Sequence, residues 1–229
     1  MTEKARQIFF LNGLGGTKEE ILPFFQALHL CQIDVEYLSL PGHENEKSVN
    51  LITQDEFIHY YRPLIGNASC ILIGYSIGAE IAVFLAQHLP NIEKIILIDG
   101  GLVCGEDFGI SIEEDIAQTL AIIEENQITS LNSESIASLL RFTDKIRLGI
   151  MHANLKIPIL IVNSSQKEVL AIKQRRLAQL SQPNITHCTI EQSTHQLLAE
   201  YPEKVAQEIQ HFLKKMPSML KIECNRRFY

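Results

Sequence analysis

Residues 70–86 read CILIGYSIGAEIAVFLA and set a serine where an apolar run ends and a helical pattern begins. Cys70 to Ile73 are strand-like in length and content, whereas Ile81, Ala82, Leu85 and Ala86 recur at helical spacing. Between them lies G-x-S-x-G, made by Gly74, Ser76 and Gly78. This spacing has a mechanical reason. A serine on a sharp strand-to-helix turn is held in a strained backbone conformation, and glycines two residues to either side let the helix pass close to the strand. The hydroxyl is lifted above the sheet, and the first N–H groups of the helix point at the same spot. The alternative for Ser76 is an ordinary helix-capping serine.

Outward from this corner, short apolar runs alternate with amphipathic ones. Residues 8–11, 33–40, 70–73, 92–99, 157–165 and 186–190 read as strands. Residues 18–30, 51–65, 78–89, 166–180 and 202–215 read as helices, with Pro63 marking a bend or end. Such alternation predicts a mostly parallel sheet with helices on both faces. From Gly101 to Asn154 no strand pattern occurs, only two helical stretches beginning at Ser111 and Ser133. An insertion after a strand end lies over the carboxyl edge of the sheet, where ligands bind, so a small helical lid is expected at about 101–154 within a single domain of residues 1–229.

Composition bounds the function. With 46% hydrophobic and 21% charged residues, the 229-residue chain can bury a sizeable core. A net charge of −7 argues against a nucleic-acid surface. No run reaches the ~20 apolar residues a membrane span requires, and the apolar run after Arg6 is too short for a signal core. Five widely spaced cysteines, without C-x-x-C, read as reduced, mostly buried thiols of a cytoplasmic protein. The modestly basic tail, residues 214–229, reads as a solvated end. Because position 18 is lysine, the glycines at 13, 15 and 16 do not form a dinucleotide fingerprint, and no metal cluster or phosphate loop is present, so no cofactor is implied. Oligomeric state is not encoded in any pattern found.

At the serine corner the chain resembles the α/β-hydrolase fold family, in particular its small lid-bearing members. Residues 8–16, IFFLNGLGG, are similar to the family's H-G-x-G-G turn after the first strand, with Asn12 where histidine is common. Residues 38–48, LSLPGHENEKS, are similar to its L-P-G-H-G-x-S loop, with Glu44 and Asn45 disturbing the glycine. Residues 193–213, STHQLLAEYPEKVAQEIQHFL, look like its last segment, a histidine loop followed by a helix. The resemblance runs through nearly the whole chain in order and implies a three-layer α/β-hydrolase fold.

It also implies a Ser-acid-His chain order. Serine needs a neighbouring base. His88 and His211 lie on amphipathic helices and read as surface residues, His152 ends the insertion, and His187 sits inside the last strand as a packed residue. His195, just past a strand, is the expected base. The acid stays open between two residues. The family's G-x-x-D turn after residues 157–165 is altered, with Ser164 and Lys167 at its glycine and aspartate, which leaves Glu168 one place later. Asp99, one strand earlier, is the other choice, with a structural role in the Gly100-Gly101 turn as its alternative. A dyad without an acid is a third. The resemblance makes the backbone N–H groups of Leu14 and Ile77 the oxyanion donors.

Ile116, Leu120, Ile123, Leu139, Leu140, Phe142 and Met151 recur at helical spacing through the insertion, as its own core or as part of an acyl pocket. The expected reaction is hydrolysis of a small-molecule carboxylic ester or thioester with an apolar acyl part. Two alternatives belong to other classes. One is a lyase of the same fold that uses the triad for proton abstraction, which a basic pocket built from Arg141, Lys145 and Arg147 would favour; the other is a non-catalytic ligand-binding member.

Overall fold

A computed structural model describes residues 7–44, 51, 53–180 and 182–215. Most of the expected basic tail, from residue 216 on, and part of the loop at 45–48 lie outside these residues. Six strands form one sheet: β1 (Gln7–Leu11), β2 (Glu36–Leu38), β3 (Cys70–Tyr75), β4 (Ile92–Ile98), β5 (Ile159–Ser164) and β6 (Ile185–Ile190). Their order is β2-β1-β3-β4-β5-β6, and every neighbouring pair is parallel.

The inner strands read as continuous apolar runs because both faces of a parallel sheet are covered. Along β3 the side chains alternate. Cys70 and Leu72 join one buried cluster, while Ile71 and Ile73 join the other. The first cluster is closed by α2 (Gln54–Ile65) and α3 (Ile77–His88), and the second by α1 (Leu22–Leu30) and α9 (Pro202–Lys215). Helix α1 starts at Leu22, four residues after its polar-apolar pattern begins, because Pro23 lacks an N–H and suits only a first turn. Pro63 falls in the last turn of α2, and the helix ends two residues later.

Between β4 and β5 the chain makes one turn of 3-10 helix (Gly105–Phe108) and then α4 (Ile112–Glu125), α5 (Ser133–Ile146) and α6 (Gly149–His152). Ser111 caps α4 through a reciprocal bond pair with Glu114, and Asn132 caps α5 by accepting from the Ser135 N–H. Ile116, Ile123, Ile136 and Leu140 form their own cluster, with Leu120 packed against it. Leu139, Phe142 and Met151 pack instead with the sheet and α3. Helices α7 (Lys167–Gln179) and α8 (Leu197–Glu200) complete the chain order.

Two sequence expectations are corrected here. His187 is exposed, not packed, because β6 is an edge strand with only Ile190 buried. Of the four described cysteines only Cys70 is buried; Cys31, Cys104 and Cys188 are half-buried, and all four are free.

Candidate active site

Strand order reverses beside β1. The chain leaves β1 toward β2 on one side and later enters β3 on the other, so the carboxyl ends of β1 and β3 flank a crevice. Ser76 stands there. It is the residue between β3 and α3, with φ 56° and ψ −120°, a conformation that strains any residue with a Cβ. A methyl group at Gly74 would strike the Gly78 carbonyl, and one at Gly78 would strike the carbonyls of Leu11 and Asn12. Only glycine at both places lets α3 leave so close to β3 and β1. The Ser76 hydroxyl is therefore half-buried at the sheet edge instead of packed beneath it.

His195 comes to the same point from a loop between β6 and α8. Its Nε2 lies 3.0 Å from Ser76 Oγ, and its Nδ1 lies 2.7 Å from Asp99 Oδ2. An ionised carboxylate only accepts, so Nδ1–H donates to Asp99 and Nε2 is left to accept from the serine hydroxyl. Tyr75 steadies the ring. Its hydroxyl donates to the His195 carbonyl at 2.5 Å, and the two rings stack with centroids 5.3 Å apart. Burial, with the nearby Asp99 charge, pushes the Tyr75 hydroxyl up and keeps its proton available for that bond.

Asp99 follows β4 with φ 47°, which turns its side chain into the site. Burial opposes its charge. Hydrogen bonds from His195 and Lys173, the Lys173 charge and the Ser164 N–H outweigh burial and hold the carboxyl below the usual carboxylate range. Glu168 is elsewhere: it is exposed in the first turn of α7, and no hydrogen bond among the described residues joins it to His195. Of the two carboxylates, the structure brings Asp99 to the imidazole and leaves Glu168 at the surface.

The glycine turn after β1 closes the other side. The Gly13 backbone lies against the Ser76 side chain, and Leu14 and Ile77 line the same cavity as Ser76. Two side chains brace this turn. Asn12, 1% exposed, accepts from the Gly13 N–H and donates to the Thr17 carbonyl. His43 accepts the Gly15 N–H on Nε2 at 2.9 Å and donates from Nδ1 to the Pro41 carbonyl. Burial lowers the pKa of His43, which keeps the ring neutral and Nε2 able to accept.

The cavity in front of Ser76 holds about 500 Å³. Leu102, Val103, Ile112, Leu140 and Val169 supply much of its wall. Its charged lining carries Glu80, Asp99, Asp115 and Asp144 together with Lys173 and Arg147, and Arg147 pairs with Asp144 and Glu106. Arg141 and Lys145 stay exposed on α5, and His88, His152 and His211 are at the surface. Burial, partly offset by the Leu148 and Gly149 N–H groups, pushes Glu80 up to about 7. Among the described residues no three His, Cys, Asp or Glu side chains gather as a metal site would require, and no helix is long and apolar enough to cross a membrane.

Sequence reasoning passed over Tyr75, Ser164 and Lys173 as parts of this site and read the Pro41-Gly42-His43 loop only as a likeness. Tyr75 lies inside G-x-S-x-G, where the signal is carried by the glycines. Lys173 carries no signal at all, because a lysine on a polar helix reads as solvated.

Comparison with known proteins adds a lineage to this geometry. A family model described as BAAT / Acyl-CoA thioester hydrolase C terminal matches residues 46–175, a span that holds Ser76 and Asp99 and ends before His195. No curated protein matches the sequence. Among solved structures, NosK from Streptomyces actuosus is 17% identical with a TM-score of 0.68, covering 93% of this chain and 99% of its own. The enol-lactonase from Burkholderia xenovorans LB400 is 18% identical with a TM-score of 0.67, covering 93% and 92%. The carboxylesterase CesB from Bacillus subtilis is 17% identical with a TM-score of 0.66, covering 94% and 86%. At such identities the likeness establishes the fold, which is that of the α/β-hydrolases.

Proposed function

The chain belongs to the BAAT / Acyl-CoA thioester hydrolase C-terminal family within the α/β-hydrolase superfamily, and on that premise we propose that it is a serine hydrolase of carboxylic esters or thioesters with an apolar acyl part. The observation that carries this reading is the continuous set of contacts from Asp99 through His195 to Ser76, opening on a largely apolar cavity.

In this mechanism Ser76 Oγ attacks the acyl carbonyl while His195 Nε2 takes its proton. Asp99 holds the ring in the tautomer that can do so and stabilises the imidazolium that forms. The tetrahedral oxyanion is received by the N–H groups of Leu14, in the glycine turn, and Ile77, the first residue of α3, both of which line the cavity with Ser76. His195 then protonates the leaving thiol or alcohol. Water, deprotonated by the same ring, releases the acid from the acyl-enzyme. The acyl chain lies against Ile112 and Leu140 of residues 101–154, which act as a lid over one catalytic domain, and against Val169 of α7. The family favours a thioester as substrate; the cavity's lysine and arginine are already paired, Lys173 with Asp99 and Arg147 with Asp144 and Glu106, which weighs against a lyase built to bind an anion in this pocket.

The test is labelling with a fluorophosphonate, followed by turnover on acyl-CoA thioesters and p-nitrophenyl esters of graded chain length. Tagging that disappears in Ser76→Ala, with turnover on at least one series, is the expected result. Folded native protein that is neither tagged nor active on either series would sink the reading.

A further inference from the structure

Lys173 has no part in the chemistry above, yet it is a buried cation at its centre. It stands on α7, is 4% exposed, and its Nζ lies 2.6 Å from Asp99 Oδ1 while donating to Ser164 Oγ at 2.9 Å. Ser164 completes a ring. Its Oγ–H donates to Asp99 Oδ2 at 2.9 Å and its backbone N–H to Oδ1 at 2.6 Å. The carboxylate is thus divided: Oδ1 belongs to Lys173 and the Ser164 N–H, and Oδ2 is shared between Ser164 Oγ and His195. With both oxygens held, the side chain has no freedom to rotate away from the imidazole.

Burying an ammonium is costly unless a partner compensates it. Here the partner is the carboxylate that faces His195. A carboxylate already facing an ammonium exerts a weaker field on a second cation beside it. From this geometry we propose that Lys173 is a positioning residue for the Ser76–His195 pair, which fixes the Asp99 carboxylate against the imidazole and shares its charge. The proposal rests on the hydrolase reading. The titratable groups around the cluster are Tyr75 at the end of β3, Asp99 after β4, Lys173 on α7 and His195 itself, with Glu80 of α3, Asp115 of α4, Asp144 of α5 and Arg147 just after it on the same cavity, and Glu20 and Glu200 acting on Tyr75. Of these, Lys173 is the cation in contact with the Asp99 carboxylate.

The experiment is kcat/KM against pH for the native enzyme, Lys173→Met, Asp99→Asn and the double variant, with circular dichroism to establish folding. Lys173→Met should lower kcat by roughly tenfold to a hundredfold, as a misplaced catalytic group does, with KM little changed. Its acid limb should move to higher pH by about one unit, since an uncompensated carboxylate favours the imidazolium. In the Asp99→Asn background the same substitution should leave the limb where it is, because the effect passes through the carboxylate. Lys173→Gln keeps a donor without the charge; it should show the same shift with part of kcat restored, and it serves if Lys173→Met does not fold. A structural lysine would change melting temperature without moving the limb, and that result, or failure of both variants to fold, overturns the proposal. If Ser76→Ala retains full turnover, the hydrolase reading has failed instead; if Ser76→Ala is inactive and Lys173→Met keeps the native profile, only the role of Lys173 has.

Discussion

His43 Nε2 accepts the backbone N–H of Gly15 across 28 positions of sequence, at 2.9 Å, so the loop after β2 holds the glycine turn after β1 in place. That turn carries Leu14 beside Ser76. The bond needs a neutral ring, which burial supplies.

His43→Leu should therefore loosen the turn and reduce kcat by roughly tenfold, less than the ~3 kcal/mol lost with an oxyanion donor itself. Asparagine, with a shorter acceptor, should restore part of it. The sign of the pH effect follows from the lowered pKa: the unfolded ring takes a proton that the folded ring refuses. Stability from His43 is full above the ordinary histidine value of about 6.5 and is lost as pH falls through the lowered one. Melting temperature against pH in native protein and His43→Leu measures this directly, and equal slopes below pH 6 would refute it.

Asp99→Asn should cut turnover by roughly a thousandfold or more, because an amide cannot hold the imidazole in the required tautomer. Glu168→Gln, at an exposed site, should change it less than twofold. A steady-state assay on one active substrate compares them. The reverse ranking would move the acid to Glu168.

Glu80 is buried, with one oxygen accepting from the Leu148 N–H and the other, Oε2, meeting no hydrogen-bond donor among the described residues. Its carboxyl is pushed up to about 7, so the folded state holds its proton more tightly than the unfolded chain does. Stability should be greatest below the ordinary glutamate range and fall as pH rises through about 7. Glu80→Gln keeps the acceptor for Leu148 and removes the charge. Denaturant titrations at pH 5 and pH 9 should show the variant gaining on the native protein only at pH 9.

Gly78→Ala should be among the most damaging single-methyl additions in the chain, costing about 3 kcal/mol. The new methyl meets two backbone carbonyls, which cannot swing aside as a side chain can. Urea unfolding measures the loss. A change below about 0.5 kcal/mol, the range of an ordinary surface substitution, would show that the corner has slack.

Much of this molecule is written locally. Six apolar runs of strand length and the helical stretches between them are read from nearest-neighbour periodicity, and all six strands form, with β2 trimmed to Glu36–Leu38. The G-x-S-x-G corner is equally local, because the reason for its glycines, close passage of α3 over β3 and β1, is contained in the strand-turn-helix order. What local pattern left open was the acid. Asp99 and Glu168 both follow strands, and nothing in their neighbours distinguishes them. Their different surroundings arise between distant segments: β4 and β5 lie side by side, Asp99 turns inward on a positive φ, Ser164 and Lys173 fill the space around its carboxylate, and His195 meets it from 96 positions away. Lys173 could not be foreseen for the same reason. Periodicity reports which face of a helix is apolar, whereas a buried charge is explained only by the partner that meets it, and that partner comes from another strand.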